Sequence, residues 1–136
     1  MKHQQGISLI ELLVAVLIFS FGLLGIVGLQ NRTLGYSQVS LYRSQATALT
    51  DDILDRMRAD RINAQTGGWA IDSRPAAEVT GDSLAMKDIK QWKQTVESLL
   101  PHGTAAITND GTRVTVTLEW SERTAPNARF VTVTRL

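Results

Sequence analysis

The residue with the most pointed chemistry is Glu11, the one Asp, Glu, Lys or Arg between Lys2 and Arg32. A carboxylate at the head of an apolar run costs about 2 to 3 kcal/mol at full membrane depth and less near the interface. It therefore needs a cationic partner, or a position from which it reaches the headgroups. Position alone leaves both readings open, because Glu11 lies within roughly 6 Å of Ile7 along a helix axis. Other reactive groups are scarce. Cysteine is absent, which excludes disulfides, thiolate metal sites and Cys nucleophiles. His3 and His102 are the only histidines, too few and too far apart for the three or four ligands of a zinc site, so neither metal nor cofactor is expected. No phosphate loop, GxSxG or dinucleotide fingerprint occurs, and Ser83 through Lys87 does not match SxxK. The expected class is accordingly not an enzyme. The 14 Lys and Arg nearly cancel the 13 Asp and Glu, and that balance gives no field for nucleic acid.

The element that must position Glu11 is an apolar helix. Residues 12–29 carry no charge, and every Lys and Arg except Lys2 lies at or after Arg32. Residues 7–29 at about 1.5 Å each span roughly 35 Å, against a hydrocarbon core of about 30 Å. This run is longer than the apolar region of a secretory signal, and Gln30, Asn31 and Arg32 follow it in place of a small-residue cleavage site. Gly22, Gly25 and Gly28 recur at three-residue spacing, which favours close helix packing or a softer helix.

Met1 to Gly6, MKHQQG, followed by ISLIELLVAVLIFSFG, resembles the class III signal of type IV pilins and pseudopilins. The shared features are a short basic leader ending in Gly6, an apolar first mature residue (Ile7, where Phe is usual) and Glu11 as the fifth mature residue. The resemblance implies that a membrane-embedded prepilin peptidase cuts after Gly6 and methylates the amine of Ile7. It also gives Glu11 a partner, the terminal amine of a neighbouring subunit. Pairing within one chain stays open as well, since Ile7 and Glu11 are one helical turn apart.

Beyond the apolar run the helical period continues. Tyr36, Val39, Tyr42, Ala46, Leu49, Ile53 and Met57 form one stripe, with Asp51, Asp52, Asp55, Arg56, Arg58 and Arg61 largely off it. The spacing predicts one helix over residues 7–64, roughly 87 Å long, of which half projects beyond a membrane. Residues 65–81, with Gly67, Gly68 and Pro75, read as a loop. A second helix is expected over residues 83–100, with Asp82 as N-cap and Pro101 as stop. Its apolar face would be Met86, Ile89, Trp92, Val96 and Leu99, and Lys87, Lys90 and Lys93 would be solvated on the other side. Strands are expected over residues 105–108, 113–121 and 129–135, joined by an Asn109-Asp110-Gly111 turn and a Pro126-Asn127 turn. The expected architecture is α+β: a long N-terminal helix packed by a small antiparallel sheet and a second helix, the plan of a pilin. It divides into a leader (1–6), a membrane and assembly helix (7–29), an amphipathic half (30–64) and a head (65–136).

The run Leu49-Thr-Asp-Asp-Ile-Leu-Asp-Arg-Met-Arg-Ala-Asp, with the order Trp92, Leu100-Pro101 and Trp120, is similar to minor pilins of the PilV type. That resemblance implies a subunit that helps to initiate pilus assembly at or near the filament tip and supports adhesion and twitching motility. Its partners would be prepilin peptidase, other minor pilins, the major pilin, the inner-membrane assembly platform and a large tip adhesin, with no nucleic acid. It would sit in the inner membrane as a single pass, amino terminus cytoplasmic and head periplasmic, and then in the extracellular pilus. A minor pseudopilin of type II secretion, GspI-like, and a plain signal-anchored periplasmic binding module are the alternatives.

Overall fold

The computed structural model describes residues 8–111, 113–122 and 127–135. Gly6, Ile7, the leader and Pro126 lie outside them. Element order is α1 (Leu9–Ala59), α2 (Arg61–Gln65), a short 3-10 turn (Ala76–Glu78), α3 (Leu84–Leu99), β1 (Thr104–Asn109), β2 (Val114–Trp120) and β3 (Ala128–Thr134). This is the expected α+β architecture. The chain forms two compact units, residues 1–38 and 39–136, and α1 contributes to both.

In the first unit every residue from Ser8 to Leu34 is exposed. The hydroxyls of Ser20, Thr33 and Ser37 donate to the carbonyls of Val16, Leu29 and Thr33 at 2.7, 3.0 and 3.1 Å, so these polar side chains are satisfied within the helix.

In the second unit the stripe of α1 buries Ala46, Leu49, Thr50, Ile53, Leu54 and Met57, which recur at three and four residues as a helix face requires. Tyr36, the first member of the expected stripe, is 70% exposed and belongs to the first unit. Helix α1 stops at Ala59, not at residue 64. Asp60 leaves helical geometry (φ −116°, ψ 50°), and its carboxylate accepts from Asn63 Nδ2 at 2.9 Å and Trp69 Nε1 at 3.1 Å. Those two bonds turn the chain and bring Trp69 into the core. Gly67, at φ 89°, completes the reversal in a conformation that side chains resist.

Helix α3 is capped by Ser83, whose hydroxyl accepts from Met86 N–H at 3.2 Å; Asp82 is not the cap. Replacing Ser83 with Ala removes that acceptor and is expected to cost about 1 kcal/mol, seen as a fall of roughly 4 to 8 °C in the thermal midpoint of the head. The buried face of α3 is Ala85, Ile89, Trp92, Lys93 and Val96. Leu99 is exposed, because the helix ends there and extended Leu100 (φ −109°, ψ 129°) enters the core in its place. Trp92 joins the two long helices: its indole N–H donates to Leu49 O at 2.8 Å.

The sheet has order β1-β2-β3, all antiparallel, with Ile107 opposite Val116 and Trp120 opposite Ala128. Strand alternation sends Ala105, Ile107, Val116, Leu118 and Trp120 into one core with the α1 and α3 stripes. At the first hairpin Asp110 Oδ1 accepts from Arg113 N–H at 2.6 Å and Asn109 Oδ1 from Gly111 N–H at 2.7 Å, with Gly111 at φ 86°. The expected turn is therefore there, although Asn109 is also the last residue of β1. The loop after α2 adds one more rung to the sheet: Ile71 bridges Ile107 through bonds of 2.9 and 2.8 Å.

Candidate functional site

Glu11 occupies the first turn of α1, where the helix begins with Ser8 O accepting from the N–H groups of Glu11 (3.0 Å) and Leu12 (3.2 Å). A negative charge in a first turn is favoured by the helix dipole by about 0.3 to 1 kcal/mol, less than the cost of desolvating a carboxylate in hydrocarbon. Among the described residues no hydrogen bond or ion pair engages the Glu11 carboxylate. It stands at the start of a helix long and apolar enough to cross a membrane, whose apolar stretch is not buried. A Cβ added at Gly22, Gly25 or Gly28 meets nothing within 4 Å among the described residues, so the helix surface is open at these glycines. Gly6 and Ile7, the other two residues expected to act, lie outside the described residues. Among its described residues the first unit thus presents an apolar helix whose one carboxylate has no partner, a surface suited to cover by lipid or by other helices.

The head holds a second cluster that sequence reasoning missed. Lys93, expected on the solvated side of α3 with Lys87 and Lys90, is 1% exposed, and its ammonium donates to Asp72 O at 2.7 Å. One turn further on, Glu97 Oε1 accepts from Ala76 N–H at 2.6 Å. Two side chains of α3 therefore pin the loop between α2 and α3. Asp72 is held in turn by Arg74, through its backbone N–H at 3.0 Å and its guanidinium at 2.6 and 2.7 Å, and these bonds keep the carboxyl well below the usual carboxylate range. Burial pushes the Lys93 ammonium below its ordinary value, with Asp72 and Glu97 opposing that shift. The signal was in the spacing, since Lys93 is four residues after Ile89 and three before Val96, on the buried stripe itself.

A lysine whose charge is disfavoured in the folded state releases its proton more easily there than in the unfolded chain. Stability accordingly rises as pH climbs from the lowered value towards the ordinary 10.5. Lys93→Met keeps the stem and removes the buried charge. The expected result is thermal midpoints that no longer rise with pH in the alkaline range, while the loop loses the ammonium that holds Asp72 O.

His102, exposed at φ 53°, lines a cleft of about 520 Å³ with Thr104, Glu119 and Arg129, and the Glu119 carboxylate is taken by Arg129 Nε at 3.3 Å. A further carboxylate, Glu122, is almost wholly buried; it accepts from Trp120 Nε1 at 3.0 Å, with Arg43 Nε 3.9 Å away. Both carboxylates act as structural acceptors. Among the described residues no three His, Cys, Asp or Glu side chains gather as a metal site.

Residues 1–27, which include Gly6, Ile7 and Glu11, match the family described as the prokaryotic N-terminal methylation motif. No curated protein and no solved structure matches the chain. That motif indicates a type IV pilin-like or pseudopilin-like protein, and the long apolar helix that continues it fits a membrane-anchored single pass.

Proposed function

We propose that the chain is a minor type IV pilin of the PilV type, which helps to initiate pilus assembly and sits at or near the filament tip, supporting adhesion and twitching motility. The observation that carries the reading is Glu11: a carboxylate without a partner in its own described surroundings, at the start of an uncharged helix and inside the methylation motif. A motif of this kind implies processing by a prepilin peptidase and assembly with other pilins. The cut falls after Gly6, the new amine of Ile7 is methylated, and Glu11 pairs with the amine of a neighbouring subunit. Opposite charges brought together in hydrocarbon relieve each other's desolvation cost, which gives assembly a direction. The PilV-type assignment is supported by the order Trp92, Leu100-Pro101 and Trp120.

The remaining partners follow from that role: the other minor pilins, the major pilin, the inner-membrane platform and a large tip adhesin. The test is a deletion strain scored for twitching and for exoprotein release. Lost motility with normal secretion is the expected result. Normal motility with lost secretion would assign the chain to a type II secretion pseudopilus.

A further inference from the structure

The face of the sheet turned away from the core is built for contact. Strand register lays two rows across it, Thr108–Thr115–Val133 and Ala106–Thr117–Val131. Five of these six side chains are β-branched, and Val131 and Val133 are 46% and 56% exposed. A third row, Thr104–Glu119–Arg129, closes the face with a carboxylate and a guanidinium 3.3 Å apart. With Ser73, the β1 and β2 residues of these rows and Arg129 line a shallow trough of about 340 Å³, and Val131 and Val133 lie outside it. A solvated sheet face is ordinarily polar, in alternation with the buried one. These three rows hold no Lys, and their two charges are spent on each other. The exposed side of α3, by contrast, carries Lys87 and Lys90.

The size of the face says what can cover it. Three strands about 4.8 Å apart and three positions about 7 Å apart give on the order of 300 Å². A stable free complex buries about 800 Å² on each partner. The face is too small to recruit a soluble partner, and it becomes useful once the partner is already held close by another contact, which raises the effective concentration. The exposed apolar helix of the first unit supplies such a contact to any chain bearing a helix of the same kind. We infer that the outer sheet face, centred on Thr117 and Val131, is the docking surface for the head of a neighbouring subunit that is anchored by its own apolar N-terminal helix. The neighbour's contacting face is uncharged, since nothing on the three rows is left to pair with a charge. The inference rests on the pilin-like reading.

The chain contains no cysteine, so Val131→Cys in the full chain provides a unique reporter. Lys90→Cys on the exposed side of α3 serves as the control. A membrane-impermeant maleimide is applied to sheared filaments and to the detergent-solubilised chain. The Cys at position 131 should react about tenfold more slowly in filaments, as for a site open in one molecule in ten, and the Cys at position 90 should react equally in both. Thr117→Lys should lower incorporation while leaving the thermal midpoint of the head unchanged. Equal reaction at position 131 in filaments and detergent would overturn the inference alone. Protection already complete in detergent would overturn the choice of occupant, since a second copy would then suffice. Absence of the chain from filaments would overturn the pilin-like reading and the inference with it.

Discussion

Glu11→Ala should be processed normally and fail to enter filaments. On the proposed reading, the carboxylate of the free subunit sits in or near hydrocarbon at a cost of about 2 to 3 kcal/mol at full depth. On the same reading, that cost is relieved when a neighbour's amine pairs with it. Alanine removes both the cost and its relief, so the electrostatic drive for assembly disappears and the neighbour's amine is left without a counterion. At 1.4 kcal/mol per tenfold, the ratio of filament to membrane protein should fall on the order of a hundredfold. Glu11→Gln, which keeps the shape and loses the charge, should fall similarly. The ratio is read by immunoblot of sheared and membrane fractions, and an unchanged ratio for either variant would remove Glu11 from the mechanism.

The largest effect on the fold should come from Trp92→Ala. Trp92 is fully buried, and its ring lies in the core shared by the α1 stripe, α3 and the sheet. Its indole N–H also satisfies Leu49 O at 2.8 Å. Truncating a buried Trp costs about 3 to 5 kcal/mol, a large part of the 5 to 15 kcal/mol that holds typical domains. With no disulfide to restrain the unfolded chain, the thermal midpoint should fall by roughly 15 to 30 °C. Trp92→Phe keeps most of the volume and loses the bond, and a loss of about 1 kcal/mol is expected. Circular dichroism melts of the full chain in detergent separate the two. Equal midpoints for the Ala variant and the parent would show that Trp92 does not join the helices.

The regular parts of this protein were legible because their periods are strong. The alternation of Val114, Val116, Leu118 and Trp120 against Thr115, Thr117 and Glu119 fixes which face of β2 is buried. The spacing from Ala46 to Met57 likewise fixes the face of α1. The missed features depend on contacts distant in sequence. Nothing near Asp60 announces that its carboxylate will take the indole N–H of Trp69, yet that bond helps to end the helix five residues short of the expected end at residue 64. The cap fell to Ser83 instead of Asp82 because both are good acceptors and only the backbone decides which one faces the first turn.

Lys93 misled for a different reason. Its type says surface and its position says core, and position prevailed because the carbonyl of Asp72, 21 residues away, receives the ammonium. Of the residues proposed to function, Glu11 was legible at once, since a charge inside an uncharged run is a local signal. The proposed docking face was not, because Thr and Val are ordinary strand residues until the register shows that they lie side by side without a lysine among them.

The central claim, a pilin-type subunit processed between Gly6 and Ile7 and assembled through Glu11, is tested most directly by mass spectrometry of the mature amino terminus. The chain should begin at Ile7, with a methylated amine. A mature protein that retains Met1, with an unmodified Ile7 inside the chain, would contradict it.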